Sequence, residues 1–344
     1  MVLVEGGWSL GLRAKNLVGI AFLIGLFILL LTGCASKSSN ALVDKQYQRI
    51  VEEQQRKSAF TEDTVEIEKK LSPRIDPEES ERMGDVYNKQ GNLTMAFVNY
   101  NKALQADPGR LSARQKTGYL LLKRGLWDDA IAQFDIVLKQ APGNTQALQG
   151  RGNALLHLNR LEEAEQALTT TIRNDTGLWQ AHALLGIVYD RQKRYEMAIT
   201  SYEKAIAINP QAASVYNNLG FSLSLTGRQR EAADAFLKSL NLDPSNSKTY
   251  NNLGLVLFKM QMYPEALEAF SKGEDESTAY NNMGILYLKE KQYEKAIKSF
   301  EKAIKTKPVY YASAQANLER AKADLKAQQA VQETQEADRS ESKE

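Results

Sequence analysis

The sequence predicts an all-α solenoid of about seven helix-turn-helix repeats followed by a C-terminal capping helix. Three observations predict it. Glycines recur at Gly84, Gly118, Gly152, Gly186, Gly220, Gly254 and Gly284, in steps of 34 residues with a last step of 30. Twelve residues after each stands an alanine: Ala96, Ala130, Ala164, Ala198, Ala232, Ala266 and Ala296. Four residues further stands Tyr100, Phe134, Leu168, Tyr202, Phe236, Phe270 or Phe300. A period of that length belongs to stacked supersecondary units, none of which can bury its apolar face alone.

The chain opens with a different segment. Arg13 and Lys15 precede an uncharged run from Leu17 to Leu31, which ends in Leu31-Thr32-Gly33-Cys34. The run has the length of a signal-peptide core and falls short of the roughly 18 residues of a spanning helix. Small residues before the only cysteine resemble a bacterial lipobox. That resemblance implies cleavage after residue 33, acylation of Cys34 and anchoring through several acyl chains. In lipoproteins an aspartate after the cysteine commonly retains the protein in the inner membrane, so with Ala35 at that position the resemblance implies the periplasmic face of an outer membrane in a diderm host. Residues 34–76 read as anchor, polar tether and short helices, with a weak stripe of Leu42, Tyr47, Ile50 and Val51.

The repeats follow at 77–110, 111–144, 145–178, 179–212, 213–246, 247–276 and 277–310. Each reads as two helices joined by a turn such as Gln90-Gly91-Asn92 or Thr226-Gly227-Arg228. The second helix stops before Pro108, Pro142, Pro210, Pro244 and Pro308, where proline supplies no amide hydrogen. A glycine inside a helix costs about 1 kcal/mol relative to alanine. Seven in register therefore point to close approach of the paired helices, with the aromatics filling the gap between neighbouring units. This pattern resembles the tetratricopeptide repeat, whose period and motif are established. The resemblance implies a right-handed superhelix whose first helices line a concave face. Repeat three departs from the pattern at Leu168, Thr171 and Thr176. Repeat six lacks four residues near Phe270–Glu276, about one helical turn, so its second helix shortens without rotating its apolar face. Residues 311–328 read as the capping helix, with Ala314, Leu318, Ala321 and Leu325 inward, and residues 329–344 as a disordered tail.

Composition excludes several classes of function. A quarter of the residues are charged and the net charge is +2, with no basic patch to hold nucleic acid. The two histidines, His157 and His182, fall in different repeats with no ligand-spaced carboxylate or cysteine beside them. No catalytic constellation, metal set or cofactor motif is present, so the sequence reads as a non-enzyme without a cofactor.

A binding face is legible in repeats five to seven. Tyr216-Asn217-Asn218-Leu219-Gly220, Tyr250-Asn251-Asn252-Leu253-Gly254 and Tyr280-Asn281-Asn282-Met283-Gly284 are near-copies. Asn218, Asn252 and Asn282 form a row of amides, each both donor and acceptor. The row is similar to the asparagine ladder in the tetratricopeptide domain of O-GlcNAc transferase, which implies an extended peptide ligand; it reads equally as repeat consensus. Phe221, Leu255 and Ile285, with Phe258 and Leu288, supply an apolar floor, and Lys248, Lys259 and Lys289 flank it. Such a face suits an extended or helical segment carrying acidic groups.

The sequence thus reads as a membrane-anchored scaffold whose concave face binds segments of envelope proteins or a second copy of itself. The plan resembles TadD lipoproteins and type IV pilotins, implying a role in pilus or secretin assembly. An adaptor for cell-wall hydrolases or proteases, similar to NlpI, and an exopolysaccharide-export scaffold are the alternatives.

Overall fold

The computed structural model describes residues 76–341 apart from 308 and 310, and the side chains as far as 335. The leader, Cys34, the tether and Pro308 lie outside the described residues. Among the described residues, fifteen helices and no strand are found. The first helices of the repeats are α1 (Pro77–Lys89), α3 (Leu111–Arg124), α5 (Thr145–His157), α7 (Trp179–Arg191), α9 (Ala213–Leu225), α11 (Ser247–Lys259) and α13 (Glu276–Lys289). The second helices are α2 (Leu93–Ala106), α4 (Trp127–Gln140), α6 (Leu161–Asn174), α8 (Tyr195–Ile208), α10 (Gln229–Leu242), α12 (Tyr263–Gly273) and α14 (Tyr293–Thr306). A last helix, α15, runs from Ala312 to Glu341.

Local chemistry sets the helix ends. Asn92, Asn144, Asn246 and Asp275 each accept a backbone N–H of the first turn, at 2.7 to 3.1 Å. The turn inside every repeat holds one residue at positive φ. It is glycine at Gly91, Gly125 and Gly227, and Asn159, Lys193, Gln261 or Lys291 elsewhere. The second helices that precede Pro108, Pro142, Pro210 and Pro244 all end two residues before the proline.

Two compact units are distinguishable. One holds α1 and α2 with residues 123–126, and the other the remaining described helices. In the first, Tyr100 lies against Gly84 and donates its hydroxyl to Asp85 Oδ1 at 2.9 Å. In the second, each helix from α4 onward packs on the next, and the first helices α5, α7, α9 and α11 also touch in succession. Neighbouring repeats of this unit therefore meet mainly where a second helix packs on the next first helix, with slighter contact between first helices.

The glycines are explained by contact. In each repeat that has one, the aromatic lies on the glycine of its own repeat, a contact the sequence alone does not assign, and Phe236 and Phe270 also join core clusters with residues of the following repeat. A Cβ on Gly220 would stand 2.8 Å from the Phe236 ring, and one on Gly254 would stand 2.7 Å from Phe270. Phe134 also reaches Gly150 of the following repeat. Aliphatic and aromatic side chains form core clusters across successive repeats, one of which holds Phe258, Phe270, Met283, Phe300 and Leu318 and spans α11 to α15.

Buried polar groups join successive repeats. Asp190 on α7 accepts from Tyr202 on α8 at 2.7 Å and from Ser222 on α9 at 2.6 Å. Burial pushes its carboxyl above the usual range, while the two hydroxyls oppose the shift. Asn217 accepts from Thr249 Oγ1 at 3.1 Å and Asn252 Nδ2 at 3.0 Å, tying α9 to α11. Asn281 accepts from Asn317 of α15 at 3.1 Å.

Repeat six differs. α12 has 11 residues where the other second helices have 14. Gly273, at its end, is pressed on the first turns of α11, where a Cβ would meet Asn251 Oδ1 at 2.7 Å. Asn251 stands where Asn217 and Asn281 make their bridges. It donates instead to Glu274 at 2.7 Å, and its Oδ1 is buried without a hydrogen bond among the described residues.

The C-terminus departs from the expected boundary at residue 328. Ala314, Leu318 and Ala321 are buried as expected and Leu325 is half-buried, but the helix continues to Glu341 where a disordered tail was expected. The segment holds no Gly or Pro and is rich in Ala, Glu, Gln and Lys, which favour helix without needing a packed face.

Candidate functional site

The first-helix face of α9, α11 and α13 carries a cavity of about 440 Å³. Phe221 and Leu225 on α9, Leu255 on α11 and Leu286 on α13 form its apolar lining, with Asn252, Lys259, Lys289 and Glu290 at its edges. The apolar row is open to solvent: Phe221, Leu225, Leu255 and Ile285 are 45, 44, 41 and 42% exposed. Nearly half of each side chain thus remains to be buried by a partner, and full burial of such a side chain is worth about 1.5–3 kcal/mol.

The predicted residues divide into groups. Phe221, Asn252, Leu255, Phe258, Lys259 and Lys289 converge on the cavity. Ile285 continues the exposed row on α13 without lining it. Phe258 is a core residue that only backs the cavity: it is 2% exposed, with Tyr263 and Tyr287 edge-on to its ring at 5.1 and 4.9 Å. Leu288 packs against the same core. Lys248 is exposed on the first turn of α11, away from the cavity.

The amide row is partly spent inside the array. Asn252 gives its Nδ2 to Asn217, and Asn218 Oδ1 accepts from Asn217 Nδ2 at 3.3 Å. Asn282 is half-buried and outside the cavity lining. Lys259 and Lys289 are exposed and make no ion pair among the described residues. Glu290 accepts from Gln292 Nε2 at 2.7 Å.

Leu225, Leu286 and Glu290 were not singled out from the sequence. Leu225 could have been: it holds in α9 the position that Lys259 and Lys289 hold in α11 and α13. The apolar row is thus two residues deep at the α9 end and bordered by cations at the other.

A second groove, about 400 Å³, lies between α6 and α8 over α7. His182 is in its lining, where the equivalent residues of later repeats are the larger Tyr216, Tyr250 and Tyr280. The His182 ring is almost fully buried, with Nε2 3.4 Å from the Thr176 carbonyl, and burial lowers its pKa. His157 stacks on Trp127 with ring centroids 4.0 Å apart. Both histidines are packing residues in this structure. Among the described residues no three His, Cys, Asp or Glu converge as metal ligands, and no helix is long and apolar enough to cross a membrane.

Comparison with known proteins agrees with this architecture. Residues 44–279 match the family model described as the cilia and flagella-associated protein 70 C-terminal domain, and residues 277–309 match the tetratricopeptide repeat. None of the curated proteins matches the chain. Among solved structures, a tetratricopeptide repeat protein from Parabacteroides merdae is 17% identical with a TM-score of 0.51, covering 71% of this chain and 98% of its own. MamA from Desulfovibrio magneticus is 22% identical, with a TM-score of 0.45, 51% of this chain covered and 98% of that one. YrrB, described as a tetratricopeptide protein with an unusual peptide-binding site, is 20% identical, with a TM-score of 0.43 and coverages of 52 and 91%.

Proposed function

The chain belongs to the tetratricopeptide-repeat family described as the cilia and flagella-associated protein 70 C-terminal domain, and on that premise we propose that it is a non-catalytic docking scaffold for protein segments. The observation that carries the reading is the exposed apolar row of Phe221, Leu225, Leu255 and Ile285, bordered by Lys259 and Lys289. Other large apolar side chains are also exposed in the array, such as Met197 and Leu237, but here several line up beside one cavity, and such a contiguous apolar surface is the mark of an interaction site. The test is a pull-down from crosslinked cells comparing wild type with Leu255→Glu, Ile285→Glu. Both positions are exposed, so the fold should hold. Loss of a defined partner with an unchanged melting curve supports the reading, and an unchanged partner set refutes it.

We extend the proposal to the setting. Leu31-Thr32-Gly33-Cys34 supports acylation at Cys34, which would fix the scaffold at a membrane, on the periplasmic face of the outer membrane if the host has one. Envelope proteins are then the partners, and assembly of a pilus or secretin is the process. Cys34→Ser should abolish incorporation of labelled palmitate and release the protein from membranes. Retention of both would remove the anchor from the proposal.

A further inference from the structure

We propose that the groove over α9, α11 and α13 takes an amphipathic, acidic α-helix and not an extended strand. This rests on the docking reading above and specifies the conformation and charge of the occupant.

The first argument concerns the backbone of the ligand. An extended segment needs partners for its own N–H and C=O groups. The sequence offers the asparagine row for that task, but the fold commits Asn252 Nδ2 and Asn218 Oδ1 to Asn217. What remains exposed is chiefly apolar. A helix satisfies its backbone internally and asks the groove only for side-chain contact.

The second argument is spacing. Phe221 and Leu255 occupy one position on α9 and α11, which touch, and packed helices lie about 8–10 Å apart; Ile285 holds the same position on α13. Seven residues of helix advance about 10.5 Å and return to nearly the same face. Same-face residues of a strand recur about every 6.6 Å, which is out of step with the row.

The third argument is charge. Lys259 and Lys289 lie one helical turn beyond Leu255 and Ile285, so they form a cationic row beside the apolar one. Neither has an anionic partner among the described residues. In α9 that row ends at Leu225. The occupant therefore carries apolar residues every seven positions, carboxylates beside those over α11 and α13, and no charge over α9.

The test is selection of displayed random peptides of about 16 residues, roughly 24 Å as a helix, on the full chain, with depletion on its Leu255→Glu variant. The expected winners repeat apolar residues at seven and carry Asp or Glu. Stapling them into helices should tighten binding about tenfold or more by removing ordering cost. Lys259→Glu with Lys289→Glu should weaken binding to a similar degree at low salt. Winners with period-two alternation or proline, or winners weakened by stapling, overturn the helix while leaving the groove in place. Equal enrichment on the Leu255→Glu variant overturns the groove reading and the helix with it.

Discussion

Asn252 on α11 donates its side-chain amide to Asn217 Oδ1 on α9 at 3.0 Å, and Thr249 donates to the same oxygen. One nearly buried acceptor thus holds two donors from the next repeat. Asn217→Ala strands both, and an unsatisfied buried donor costs about 1–3 kcal/mol. The expected result is a drop of that size in a denaturant titration. The triple variant Asn218→Ala, Asn252→Ala, Asn282→Ala should likewise lose stability while changing the affinity of a groove-binding peptide by less than about threefold, within the usual scatter of a surface change. A large loss of affinity without loss of stability would return the amides to the ligand.

Gly254 and Phe270 set a second prediction. A methyl group at Gly254 would enter the Phe270 ring, and overpacking of this kind costs about 1–3 kcal/mol. The better helix propensity of alanine returns only about 1 kcal/mol. Gly254→Ala should therefore lower the melting temperature. Combined with Phe270→Leu it should cost less than the sum of the two single changes, since both act on one contact. Strict additivity would show that the contact does not limit the repeat.

The turn residues supply a stabilising change. Lys193 is exposed at φ 61°, a conformation that costs an L-residue roughly 1–2 kcal/mol. Glycine adds about 0.5–1 kcal/mol of chain entropy to folding. Lys193→Gly should raise the melting temperature slightly, and Gly227→Ala, at φ 81°, should lower it. The same sign for both changes would contradict the turn argument.

Acid should loosen the junction between α13 and α14. Asp275 accepts from the Thr278 backbone and from Lys307 Nζ at 2.9 Å. The lysine, followed by the cap hydrogen bonds, holds its carboxyl down at about 2. A carboxyl depressed in the folded state stabilises above its unfolded pKa of about 3.9 and loses that contribution as pH falls toward 2. Because the pair is partly exposed, the contribution is modest and screened by salt. Asp275→Asn keeps a capping oxygen, so it should flatten the stability profile between about pH 4 and 2 with little other change. An unaltered acid limb would refute the assignment.

The sequence by itself determined the helix pairs, the glycine-aromatic register and the apolar row, because each is a local or periodic property of the chain. Gly254 and Phe270 are sixteen residues apart in a pattern that repeats, so their register was legible in the chain, while their contact within one repeat was decided by the packing. The continuation of α15 to Glu341 was also local, a matter of helix propensity that polar composition concealed. Tertiary structure alone decided what the polar and border residues do. Asn217 and Asn218 are adjacent in sequence and about 100° apart around α9, so one bridges repeats while the other faces outward. Phe258 closes into the core and Leu225 opens onto the groove for the same reason. Whether a side chain meets the next repeat, a ligand or water depends on the angle and distance between helices, and those are set by the packing of many side chains at once.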